Sequence, residues 1–545
     1  MSTDFIKSEE LKPKLQRDNP QYITDRIFFI DASNQDLTTI PLEIFALKEL
    51  EEVHLENNMI EEIPEDIQLL QNLKILYLNQ NKLKKLCPAL GKLSGLEGLD
   101  LSNNPLKTCS IPIIGHIRSL RELRLYRINL RDFPLSICKS LHHLELLGLS
   151  GNFLKSLPKE IENHTKLREI YLDHNQFEIF PVELCVLYNL EILDVETNKL
   201  NGIPEEIGNL KMLQKFYLAH NNVAFIPSTL GQCRKLSVLD LSHNLLHFIP
   251  HTLTELTEMT EIGLNENPLE KLPHLICKWP FLHLLYLRNT GLQGLRPSFK
   301  RLVHLRFLDL SQNYLESFPR QICALKNLEI LALDDNKINQ LPSDIGSLSN
   351  LKTLGLTGNQ FFAFPEEVFS LKALERLYLG QDLGVKFTSV PEDISQLQNL
   401  KEIHIENNQL ENLPESLGLL PNLEILDCRH NLLKQLPDAI CKAGALNELL
   451  LEDNLLTCLP ENLDTLVNLK ILTLLENPMT EPPIEVCTQG IEAIWSFLKE
   501  NRKRKIMATK IQAWWRGIMV RKGLGKYEEL LKARKKGKTS PKDKG

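Results

Sequence analysis

The stretch Leu73-Lys74-Ile75-Leu76-Tyr77-Leu78-Asn79-Gln80-Asn81-Lys82-Leu83 decides how this chain folds. Its spacing returns as Leu190, Leu193, Val195, Asn198 and Leu200, and again as Leu305, Leu308, Leu310, Asn313 and Leu315. Twenty copies can be aligned on the asparagine slot, from position 35 to position 477. Sixteen of the nineteen spacings are 23 residues, two are 24 and one is 26, a regularity that marks a repeat array rather than separate globules. Sixteen slots hold asparagine; Gln35, Ile128, Thr290 and Asp382 depart from it.

Each part of the unit has a physical reading. Leu76 and Leu78 alternate with Tyr77, the pattern of a short strand with one face inward. The asparagine amide both donates and accepts, so it can satisfy backbone groups buried at the turn after the strand. A Leu/Ile/Phe-Pro step follows, as in Ile63-Pro64 and Phe180-Pro181. Proline lacks an N–H and fixes φ, which keeps the return segment from becoming a competing strand. The two 24-residue spacings follow the late Ile111-Pro112. The 26-residue spacing adds three residues between Asp382 and Pro391, expected as a bulge in a surface loop.

These residues resemble the leucine-rich repeat family in its 23-residue form, over about residues 26–490. The resemblance implies an α/β solenoid, a horseshoe of about twenty repeats with a concave parallel sheet. Twenty strands at ~4.8 Å would give an inner arc of roughly 95 Å. A polar segment, 1–25, precedes the array.

Charge divides where the repeats end. Residues 501–545 hold 16 Lys+Arg and 3 Asp+Glu, a net of +13, and subtraction from totals of 63 and 70 leaves −20 for residues 1–500. No apolar run approaches the ~18–20 residues of a membrane span, and the first residues lack the apolar core of an export signal. Six of eleven cysteines, Cys138, Cys185, Cys277, Cys323, Cys441 and Cys487, share one slot four residues after proline, and no two lie in adjacent repeats. They read as packing residues in a reducing, cytoplasmic compartment. The family resemblance adds an expectation of ciliary or cytoskeletal association.

Alternation places one residue per repeat on the concave face, and this row includes Tyr77, Asp100, Tyr171, Asp194, Tyr217, Asp240, Tyr286, Asp309, Tyr378 and Asp427. Tyrosine buries much area with few rotors to freeze, so an acidic, tyrosine-bearing strip suits an unidentified protein with a basic surface. The alternative, that Asp and Tyr are merely tolerated there, stays open. His174, His220, His243 and His430 share another slot; His220 and His243 can approach each other, but two imidazoles do not make a metal site. There is no phosphate-binding glycine loop and no nucleophile–base constellation, so neither an enzyme, a cofactor nor a small-molecule substrate is expected.

After the last repeat, Ile491, Ile494, Trp495 and Leu498 have helical spacing and are expected to cap the open hydrophobic end, with a basic linker to residue 505. An IQ helix is expected over 506–530 and a basic, disordered tail over 531–545. Ile511, Trp515 and Ile518 form an apolar stripe for a partner's groove, flanked by Arg516, Arg521 and Lys522. Gln512 can bond a groove-lining backbone, and Gly517 costs a helix about 1 kcal/mol relative to Ala, which suggests close approach by something else. Together with Leu524, these residues are similar to the IQ motif at every defined position. The similarity implies binding of calmodulin or a calmodulin-like light chain. Folding of 506–524 back onto the last repeat as further cap is the alternative.

The pairing of repeats with this segment resembles the leucine-rich-repeat-and-IQ-domain-containing proteins, which implies a non-enzymatic adaptor. Similar solenoids serve Ras-pathway or phosphatase scaffolds, an alternative in which the IQ segment would be structural. The basic runs could instead serve nuclear import or an acidic membrane. The acidic body argues against nucleic acid, which needs an extended basic surface.

Overall fold

The computed structural model describes residues 27–522, Leu383 apart. Twenty three-residue strands, from Phe29–Asp31 to Ile471–Thr473, occur once per repeat. The chain divides into two compact units, Met1–Leu331 and Ala332–Gly545. In the first, successive strands pair in parallel without offset: Phe29 opposes Glu52, Glu52 opposes Ile75, and Ile75 opposes Gly98. In the second the same holds from Thr353–Gly355 to Ile471–Thr473, including across the 26-residue repeat, where Arg376 opposes Glu402. The middle residue of each strand points inward; Leu76, Leu193 and Leu426 are fully buried.

The asparagines join one repeat to the next. Asn221 donates from Nδ2 to the carbonyls of Leu218 in its own repeat and Val195 in the preceding one, both at 3.0 Å. Its Oδ1 accepts the Leu200 N–H at 3.0 Å. The amides therefore do not bond one another; each ties together buried backbone from two repeats. The residue before the slot turns left-handed, as at His174 (φ 52°), His220 (φ 55°) and His243 (φ 53°), aiming the amide inward.

Where the slot is not asparagine, the backbone adjusts. Ile128 offers no acceptor, and the Leu106 N–H of the preceding repeat bonds the Asn104 carbonyl instead, at 2.9 Å. Thr290 spends its hydroxyl on Leu287 O (2.9 Å), and the Leu269 N–H turns to Asn267 O in the same way, at 2.8 Å. Past the final asparagine, Met479 N–H does likewise to Asn477 O, at 2.8 Å. In the 26-residue repeat, Asp382 lies outside and bonds Asn407, while Gln381 is fully buried in its stead with Oε1 unpaired among the described residues.

Most return legs are single 3-10 turns of five residues, begun by proline: Ile67 N–H bonds Pro64 O at 3.1 Å in the turn Glu65–Leu69. One turn is what a 23-residue repeat leaves room for. The two 24-residue repeats place their extra residue here, one in a nine-residue 3-10 stretch, Thr108–His116, that carries Pro112, the other in the short helix α1 (Leu135–Ser140). Cys138 and Cys185 are buried in these legs, and burial pushes each thiol up to about 12. After the last strand come α2 (Ile484–Cys487) and the 32-residue helix α3 (Ile491–Lys522).

Replacing Asn221 with Ala strands the buried Leu200 N–H and leaves the Val195 and Leu218 carbonyls with one donor each, from Asn198 and Asn244, and is expected to cost about 2 kcal/mol. Asn221→Thr, copying Thr290, should cost less because a hydroxyl restores one bond. Urea unfolding followed by circular dichroism checks both; equal midpoints for the two variants would refute this account of the slot.

Candidate functional site

Strand register gathers the predicted row. Within the first unit, Tyr77 opposes Asp100, Tyr171 opposes Asp194, and Tyr217 opposes Asp240; within the second, Tyr378 opposes His404, which opposes Asp427. Each is the last residue of its strand, and all but Asp427 are half-buried.

The aspartates have a local task that alternation alone did not show. Asp100, Asp194, Asp240, Asp309 and Asp427 each accept the backbone N–H two residues on, at 2.9, 3.0, 3.0, 2.9 and 3.1 Å. This shapes the exit from the strand. Their charge differs with surroundings. Burial, reinforced by the charges of Asp173 and Glu196, raises Asp194 to about 7 despite the hydrogen bond from Glu196 N–H. Burial also pushes Asp427 upward, but the His404 imidazole 3.6 Å away and hydrogen bonds from Arg429 outweigh it and hold the carboxyl at about 2. Asp427 is 1% exposed and clasped by Arg429, so the expectation that it faces a partner is corrected: its charge is spent internally. His404, Glu406 and Asp427 could bring ligand atoms within 4.8 Å of one another, but the guanidinium already occupies the Asp427 carboxylate.

The tyrosines lie along the face. Tyr171 donates its hydroxyl to Glu169 at 2.8 Å and Tyr378 to Glu402 at 3.2 Å. Tyr77 packs on His54 and Tyr286 on Phe307, with ring centroids 4.8 and 4.7 Å apart. Tyr217 is half-buried between its neighbours' acidic groups. Tyr126 joins the face although the row did not predict it: its ring fills the space left by Gly148, where a Cβ would collide with it. The glycine in the row was the available signal. His220 and His243 stack with centroids 3.9 Å apart and planes at 13°.

The second surface is α3. Its first half docks: Ile494 and Leu498 are buried, and Arg502 holds Asp464 through two bonds of 2.9 and 2.8 Å. Lys505 pairs with Glu461 at 2.5 Å. Beyond Lys505 the helix continues without a break, adding roughly 25 Å. Here Ile511, Trp514 and Trp515 are 61%, 62% and 55% exposed, and Met507 is exposed as well. At 100° per residue, Met507, Ile511, Trp514, Trp515 and Ile518 share an arc of about 100°. Its centre lies roughly 150° around the axis from the docked side chains of Ile494, Leu498, Arg502 and Lys505. Gln512, Arg516, Arg521 and Lys522 are exposed, while Gly517 and Ile518 are half-exposed. Among the described residues, a Cβ on Gly517 would have only Arg521 Nη2 near it, at 3.7 Å, so none of them requires glycine there. Leu524 and the tail lie outside the described residues. Among those described, no helix is long and apolar enough to cross a membrane.

Fold and repeat together define a leucine-rich-repeat protein, and the family model of the leucine-rich repeat region matches residues 297–408. The chain is 77% identical over its full length to the human leucine-rich repeat and IQ domain-containing protein 4, covering 97% of it. It is 76% identical to the mouse protein of that name, covering 91%. The chain belongs to the family of leucine-rich repeat and IQ domain-containing proteins. Among solved structures it is similar to a leucine-rich-repeat protein of Leptospira interrogans: 28% identity, TM-score 0.55, 82% of this chain and 96% of that one. It is also similar to a plant peptide hormone receptor solved in complex with RGF2: 29% identity, TM-score 0.58, 81% and 76% coverage. The chain is thus a leucine-rich-repeat scaffold of the protein-interaction type.

Two measurements check the energetics of these surfaces. Because Asp194 is raised in the folded state, its contribution to stability is present at low pH and is lost as pH rises from about 4 to about 7. The melting temperature of Asp194→Asn minus that of the parent should therefore increase across that window; a flat difference would contradict the burial. Arg502→Ala leaves the nearly buried Asp464 carboxylate unpaired and should weaken docking of α3 by about 2 kcal/mol, seen as faster hydrogen exchange over 491–505.

Proposed function

We propose that this protein is a non-enzymatic adaptor whose strand face holds a protein and whose C-terminal helix binds calmodulin or a calmodulin-like light chain. The observation that carries the helix assignment is the apolar arc of the exposed Met507, Ile511, Trp514 and Trp515 and the half-exposed Ile518, turned away from the docked face. Two adjacent tryptophans on a solvated basic helix fit the apolar groove and acidic rim of such a partner. Arg516, Arg521 and Lys522 supply the opposite charge, Gln512 supplies amide hydrogen bonds, and Gly517 leaves room for close approach. Were the segment an extended cap, its apolar side would continue the line of Ile494 and Leu498.

The relatives' name includes the IQ domain, in keeping with this reading. For the strand face, support comes from the half-buried tyrosines Tyr77, Tyr171, Tyr217, Tyr286 and Tyr378, and from a structural relative solved with a peptide hormone. The buried, unbridged cysteines Cys138, Cys185, Cys233, Cys277, Cys323 and Cys428 support a reducing, cytoplasmic setting.

The test is retention of the full chain on immobilised calmodulin, with calcium and with a chelator. Retention in at least one condition is expected. The variant carrying Ile511→Ala, Gln512→Ala and Arg516→Ala should lose it by more than about tenfold, because these side chains lie outside the fold's own contacts. No retention in either condition, or retention unaffected by the three substitutions, would refute the helix assignment. For the strand face, Tyr171→Ala with Tyr217→Ala should reduce capture of cellular protein while the melting temperature stays near that of the parent.

A further inference from the structure

A cavity of about 290 Å³ opens on the strand face of the first unit, lined by Glu196, Asp240, Ser242, Glu261 and Gly263, with the stacked His220 and His243 at its side. Three carboxylates line it and no lysine or arginine does. None of the three forms a salt bridge among the described residues. Burial raises Glu196 and Glu261, and the charge of Asp240 adds to both. Asp173 presses Glu196 the same way, with His174 opposing, and Lys215 opposes at Glu261.

An independent observation comes from Ser242, which is only 6% exposed. Its N–H bonds Asp240, but its hydroxyl has no hydrogen-bond partner among the described residues. The hydroxyl lies 2.8 Å from where a Cβ on Gly263 would stand, so it faces the cavity, and the missing side chain at Gly263 is what keeps the cavity open.

The chain contains its own precedent for what satisfies such a place. Asp427 occupies the same repeat slot as Asp240, and Arg429 the slot of Ser242. There the guanidinium meets the carboxylate through Nε to Oδ1 at 3.0 Å and Nη2 to Oδ2 at 2.7 Å. With serine in that slot, the guanidinium is missing beside Asp240.

We propose that this cavity receives the guanidinium of an arginine side chain from a protein partner, with Asp240 and Glu261 as its main acceptors. The proposal rests on the reading of the strand face as a protein-binding surface. Guanidinium fits better than ammonium: its planar fork can bridge two carboxylates, and its flat face can lie against an aromatic surface. The stacked imidazoles and Tyr286 provide that surface. Partial burial and the neighbouring His243 lower the pKa of His220, with Asp240 opposing, so the pair of rings disfavours its charged form.

The test uses the full chain and fluorescein-labelled tri-arginine, tri-lysine and tri-citrulline peptides, followed by fluorescence anisotropy. Tri-arginine should bind at least about tenfold more tightly than tri-citrulline and measurably more tightly than tri-lysine. Glu261→Gln, which keeps the side-chain shape, and Gly263→Ala, which fills the opening, should each weaken tri-arginine by about tenfold. Glu62→Gln, elsewhere on the acidic surface, should leave it unchanged. Equal binding of arginine and lysine peptides, survival of binding in both cavity variants, or an equal loss in Glu62→Gln would overturn the proposal. If the peptide result holds while the tyrosine double variant keeps its cellular partner, the cavity stands and the broader reading of the face falls. If the tyrosine variant loses its partner while tri-arginine does not bind, the cavity proposal falls alone.

Discussion

Every repeat must hide the carbonyls and N–H groups at the turn after its strand, and the structure depends on how a single amide meets that demand. Asn221 serves carbonyls of two repeats and an N–H of the preceding one. Because the bonds cross the boundary, no repeat is satisfied alone, and the array is stable only as neighbours added in sequence. The exceptions confirm that this is an accounting of buried polar groups rather than a preference for one residue. At Ile128 and Thr290, and past Asn477, the orphaned N–H finds a carbonyl two residues back. Gln381 does not manage a full replacement, and that occurs in the repeat with three extra residues.

The same constraint shapes the strand face. Strands of three residues in register leave one outward row fixed at each exit, and the aspartates of that row serve the exit before they serve any partner. Their acidity is therefore uneven. Asp427 keeps its charge because Arg429 is beside it, whereas Asp194, without such a neighbour, is raised to about 7. Uniform negative charge along the row is a poor description; local pairing decides which carboxylates are available to a visitor.

The C-terminal helix presents two faces by rotation. One continuous helix presents Ile494, Leu498, Arg502 and Lys505 to the last repeats and the tryptophans elsewhere. The docked half is secured by a salt bridge whose acid is nearly buried, and the exposed half continues from it as the same helix instead of hanging from a loop.

Periodicity was enough to read the repeat, the strand row, the helical spacing of Ile494 and Leu498, and the apolar stripe of Ile511, Trp515 and Ile518. These follow from spacing along the chain, since the side-chain directions of a strand or helix are set by local geometry. Other features depend on residues far apart in sequence. Composition could not show that Gln381 rather than Asp382 turns inward, because the choice is made by the bulge that follows. Nor could it show that Tyr126 occupies the space over Gly148, that Asp427 is closed off, or that Met507 and Trp514 extend the stripe away from the docked face. Each is decided by which neighbour in three dimensions fills a space, supplies a charge or satisfies a buried polar group, and only the stacking of repeats brings those neighbours together.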